Sequence, residues 1–117
     1  MKFLCLAYGS EQDWKSLSKP EQEALLAQDS VLREEGALMG AVGTQATTVR
    51  AWDGNPSTSQ QPVAPLKIPL AGFSIIDADS LEAVVAMVSQ TPCARAKGAI
   101  EVRPITILND EQWKSNS

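Results

Sequence analysis

Tyr8, Glu11 and Asp13 stand within six residues of one another after the first apolar run, a phenol followed by two carboxylates. A carboxylate held near a cleft can take a proton from an activated carbon, and a phenol can act in the same proton transfer. Three separated cations, Arg50, Lys67 and Arg103, could supply the complementary charge. If strands carry Tyr8, Arg50 and Arg103 into one cleft, these side chains suffice to hold a small carboxylate or phenolate. The competing reading leaves Glu11 and Asp13 in solvent and pairs Arg50 and Arg103 with Glu101 or Asp53 across strands. Cys5, between Leu4 and Leu6, reads as a small buried hydrophobe. Cys93 has Arg95 and Lys97 close by, charges of the kind that lower a thiol pKa.

Composition removes whole classes of chemistry. The 117 residues include no histidine, which excludes Ser-His-Asp and Cys-His catalysis, imidazole metal sites and imidazole pH switches. Carboxylate, lysine, tyrosine or thiol chemistry remains, or none. The two cysteines lie far apart without a CxxC neighbour, so neither a zinc site nor another cofactor is expected. With 10 basic and 14 acidic residues the net charge is −4, which gives nucleic acid and anionic membranes no attraction. Trp14, Trp52 and Trp113 lack interleaved basic residues and read as packing or interface groups. The apolar run 3–8 is too short for a signal-peptide core or a membrane span. A cytoplasmic protein with no membrane or nucleic-acid partner is expected, and a disulfide is not.

These candidates need elements to position them. Residues 2–8 are apolar on both faces, as in a central strand, and a polar loop follows over 9–17. Ser18 and Glu21 form a capping box, with Pro20 harmless in the first turn. Ala24, Leu25, Val31 and Leu32 then stripe one face of a helix that ends at Gly36. Glu34 and Glu35 sit against its negative dipole end. Residues 37–42 and 47–52 read as strands of one hairpin, joined through 43–46. The proline-rich, charge-poor stretch 53–67 reads as a long loop, of a length that serves as a cover or stays unordered. A strand follows over 70–76. Asp79 caps a second helix with Glu82 at its third position and Leu81, Val84, Val85 and Val88 on one face; Asp77 ends the preceding strand. Thr91-Pro92 stops this helix, and a last strand runs over 100–108, where Pro104 points to an edge or a bulge.

The order is the β-α-β-β-α-β repeat of an α+β, ferredoxin-like fold with one inserted strand and its loop. It forms one domain over residues 1–108, with a polar tail over 109–117. Two helices cover only one face of such a sheet. A second copy related by a two-fold axis would bury the other, so a homodimer is expected.

Three stretches carry a family resemblance: residues 3–14, residues 71–81 (AGFSIIDADSL), and residues 91–105, from Thr91-Pro92-Cys93-Ala94-Arg95 to Glu101-Val102-Arg103-Pro104-Ile105. Together they resemble the YCII-related family in its DGPF branch, whose members read LLIYGDE..W, GGFYLIDVDSLDEA and CPAARGG.VEVRPI at these places. The resemblance implies a dimeric α/β barrel, two sheets packed face to face with a cleft at the interface. The chain departs from the branch at its DGPFAE[ST]KE segment, which corresponds to residues 60–68. Pro62, Ala64 and Lys67 are kept, while Gln60, Val63, Pro65 and Ile68 replace the aspartate, the phenylalanine and both glutamates. The family's other main branch has a His-Asp pair proposed for catalysis, which is impossible here.

The leading expectation is therefore a dimeric barrel protein that binds a small, carboxylate-like organic molecule in an interface cleft, its catalysis degenerate or lost. An enzyme of the isomerase or lyase type, acting on a small cyclic or aromatic-derived acid, would instead require Tyr8, Glu11 or Asp13 inside a pocket with a shifted pKa. The resemblance also admits an interaction module, because relatives in the DGPF branch are associated with sigma-type transcription factors.

Overall fold

The computed structural model describes residues 1–109. The elements run β1 (Lys2–Tyr8), α1 (Glu11–Lys15), α2 (Lys19–Glu34), β2 (Leu38–Ala41), β3 (Thr48–Arg50), β4 (Ser57–Ser59), β5 (Leu70–Asp77), α3 (Leu81–Val88), α4 (Pro92–Arg95) and β6 (Ala99–Pro104). The main sheet has the order β2-β5-β1-β6 and is antiparallel throughout. This is the strand order of a ferredoxin-like sheet, and it is open, with no closed barrel among the described residues. No described helix is long and apolar enough to cross a membrane. Trp113 and nearly all of the expected tail lie outside the described residues.

Alternation along β1 sorts its side chains between two environments. Phe3 and Cys5 point under the helices and are 2% exposed, while Leu4 and Leu6 point to the helix-free face. Cross-strand register puts Ile76 and Ser74 beside Phe3 and Cys5, and Ile75 and Phe73 beside Leu4 and Leu6. The core is built from Phe3, Cys5, Ile76, Ala78, Val84 and Val88, so α3 supplies its upper layer. α2 contributes less, because Leu32 is its one fully buried residue. Pro104 ends an edge strand, where its missing N–H costs no ladder bond.

Several local expectations meet the structure as written. Ser18 Oγ accepts from the Glu21 N–H and the Glu21 carboxylate accepts from the Ser18 backbone, a complete capping box. Others need correction. Residues 9–17 are not all loop: Ser10 Oγ accepts from the Asp13 N–H at 3.1 Å and starts α1. The cap of α3 is Ser80 rather than Asp79, because the Ser80 hydroxyl lies 3.1 Å from the Ala83 N–H.

β2 and β3 are not partners. β2 pairs with β5, whereas β3 closes on β4, a strand within the expected loop. The insertion is therefore a two-stranded arm. It is a sheet separate from the main one, with Trp52 at its end 75% exposed.

Asp77 ties the two central strands together at one end. Its carboxylate accepts from the N-terminal ammonium at 2.9 Å and from Lys2 Nζ at 3.0 Å. The ammonium, then Lys2, hold its pKa below the usual carboxylate range. A depressed folded-state pKa adds stability above the unfolded value, near pH 4, and that stability is lost as pH falls through the folded value. The carboxylate is half exposed, so the gain is at most about 1 kcal/mol. Asp77→Asn is expected to lower the urea midpoint slightly at pH 7 and to match the wild type at pH 2.

Candidate functional site

A cleft of about 160 Å³ opens between the sheet and α2, where the floor is paved with small residues including Ala7, Gly72 and Ser74. Gly72 is small by necessity: a Cβ there would lie 2.6 Å from the Gly40 carbonyl oxygen, so a side chain would part β2 from β5. On the helix side, Leu25, Asp29 and Leu32 follow the i, i+4, i+7 spacing of an inward stripe. Asp29 thus stands where periodicity calls for an apolar residue, and its short polar side chain lines the cleft. Cys93, in the first turn of α4, lines the same cleft.

The electrostatics of this pair follow from burial. Desolvation raises the Asp29 pKa above the carboxylate norm, and Arg33 one turn on offsets part of the rise. Desolvation also raises the Cys93 thiol, and the Asp29 carboxylate pushes it further the same way. The expected lowering by Arg95 and Lys97 is not found. Arg95 donates to Gln90 Oε1 at 2.9 Å, and Lys97 is exposed. Cys93 is consequently a protonated thiol, a weak donor rather than a nucleophile. Cys5, on the cleft floor, is a buried free thiol raised by desolvation, with a hydrogen bond to Ser74 opposing the rise.

The residues singled out in the sequence are dispersed. Tyr8 is half-buried at the end of β1, and Arg103 stands opposite Leu4. They are four residues apart along the ladder, about 13 Å. Arg103 Nε donates to Glu101 Oε1 at 2.9 Å, a solvated pair along one strand rather than across two. Arg50 belongs to the arm and Lys67 is exposed beyond it. None of Tyr8, Arg50, Lys67 and Arg103 lines the cleft. Glu11 pairs with Lys15 at 3.0 Å and borders a second hollow of about 330 Å³, adjacent to the first; Asp13 borders neither. Asp29 was the residue missed. Its signal was present, a carboxylate interrupting an apolar stripe between Leu25 and Leu32.

Among solved structures, the fold is similar to that of 5-chloro-2-hydroxyhydroquinone dehydrochlorinase (TftG) from Burkholderia phenoliruptrix AC1100, in complex with 2,5-dihydroxybenzoquinone. The TM-score is 0.52 at 19% identity, over 91% of this chain and 94% of that one. No curated protein matches the sequence. The model of the YCII-related domain matches residues 1–113. Nearly the whole chain is covered by that match, and the protein belongs to the YCII-related family.

Proposed function

We propose that this protein is a cytoplasmic homodimer that binds a small, uncharged, hydroxyl-bearing organic molecule of phenolic type in the cleft beneath α2. Asp29 carries this reading. It is a half-buried carboxylate facing a mostly apolar cleft whose walls hold no lysine or arginine among the described residues. A carboxylate ligand would meet like charge there, with the nearest named cation, Arg33, outside the lining, whereas a hydroxyl can donate to the Asp29 oxygens. The dehydrochlorinase of similar fold is in complex with a small dihydroxylated ring, which supports a ligand of that size and shape. The DGPF branch, with its acidic segment replaced at residues 60–68, is the subfamily this reading assigns. A second copy is placed on the helix-free face, where Tyr8 and Arg103 would border the interface.

The raised pKa of Asp29 favours a second reading, an isomerase or lyase in which Asp29 serves as the base. Titration calorimetry with hydroquinone and benzoate tests the primary one. Hydroquinone is expected to bind, benzoate to bind at least tenfold more weakly, and Asp29→Asn to weaken hydroquinone by about tenfold or more. Equal affinity for both ligands, or no change in the variant, would overturn it. Because folding disfavours the ionised form of Asp29, stability from this group grows as pH falls through its raised folded-state value. Asp29→Asn is therefore expected to unfold no earlier than wild type at pH 7.

A further inference from the structure

The cleft beneath α2 does not end at Cys93. Ala71, Pro92 and Cys93 also form the wall of the second hollow, which Trp14 and Leu70 border on its far side. Val42, Thr44, Pro69 and Leu70 are shared in turn with a third hollow of about 300 Å³ at the base of the arm, which Pro62 and Leu66 close. The three hollows lie in series, each sharing wall residues with the next, and together they outline a trough from the cleft at α2 to the arm.

Size and polarity divide the trough. A cavity of about 150 Å³ holds one benzene ring, so the 160 Å³ cleft at Asp29 has room for a single ring. The outer hollows are each about twice as large. Among the described residues their charged lining is confined to Glu11, which is largely exposed and already paired with Lys15. One end of the trough therefore offers a carboxylate to a hydroxyl, and the remainder offers apolar wall.

Resting on the reading of the cleft as a ligand site, we infer that the natural ligand is an amphiphile: a hydroxylated ring seated at Asp29 and an unbranched apolar tail lying along the trough past Cys93 toward the arm. The C-terminal part of the 53–69 segment then acts as a wall for the tail, through Pro62, Leu66 and Pro69.

Calorimetry on the full chain with phenol, 4-propylphenol and 4-heptylphenol tests the inference. A buried methylene contributes about 0.8 kcal/mol, or about fourfold in affinity; along a trough open on one side, about two- to threefold per methylene is expected. Val42→Trp, at an exposed position on the shared wall, is expected to abolish the chain-length gain and leave phenol affinity unchanged. Leu66→Trp, at the far end, is expected to blunt it only for the heptyl compound. If phenol binds and the series is flat, or if the gain persists in full in Val42→Trp, the tail trough is wrong while the cleft reading stands. Absence of phenol binding overturns the cleft reading and the inference with it.

Discussion

Leu6→Asp is expected to elute at the mass of one protomer, 12.5 kDa, and the wild type is expected at twice that mass by light scattering at micromolar concentration. Leu6 sits at the centre of the helix-free face, beside Phe73 on β5 and Glu101 on β6. Leu4, Phe73 and Ile75 extend the apolar surface, and Leu38 at its edge is 49% exposed. A single charge buried against a second copy of that surface costs several kcal/mol, a loss of at least a thousandfold in dimer affinity. Neighbouring charges separate the effect on assembly from any effect on the protomer. An aspartate at position 6 faces Glu101, whereas one at position 4 faces Arg103. Both variants are expected to dissociate the dimer, and Leu6→Asp to unfold earlier than Leu4→Asp because of the like-charge pair. A wild-type protein that runs as a protomer would remove the proposed dimer.

Gly98→Ala is expected to cost more than about 4 kcal/mol, or to prevent soluble expression. A Cβ at this position would overlap the Tyr8 carbonyl oxygen and lie 2.7 Å from that of Cys93. Both are backbone atoms, so no rotamer change relieves the clash. The bend from α4 into β6 passes so close to the end of β1 that it admits only hydrogen. Gly43→Ala is the matching control, since nothing lies within 4 Å of its would-be Cβ. Urea unfolding of that variant is expected to be unchanged or up to about 1 kcal/mol more stable. A small loss in Gly98→Ala would show that β6 can shift along β1 and that the wall of the cleft near Cys93 is not rigid.

The two glycines also show what could be read from residue types alone. Gly98 and Gly43 look alike in the sequence, each beside a small or polar neighbour. Their opposite consequences depend on which backbone segments converge around them. Asp29 and Cys93 tell the same story for the site. Each was visible as a residue, Asp29 through the periodicity of α2 and Cys93 through its proline, but neither pattern contains the other. Reading Cys93 from its sequence neighbours Arg95 and Lys97 gave the wrong direction for its pKa. The group that acts on it electrically is Asp29, brought up by a different helix.

What the sequence by itself determined is local or compositional. The central β1, the capping box at Ser18, the restriction of Pro104 to an edge or a bulge and the exclusion of imidazole chemistry depend on side chains within a turn of one another, or on a count. Motif order likewise carried the family. The tertiary structure decided the strand partners and the cavity. β2 is apolar and joins the apolar β5, which Gly72 lets it approach, while Thr-Val-Arg in β3 closes on Ser-Thr-Ser in β4 as an arm. The cleft exists because small residues from β1 and β5 lie beneath a polar break in the stripe of α2. Such a space is the difference between the volume several distant elements enclose and the volume their side chains fill, so it has no signature within any one of them.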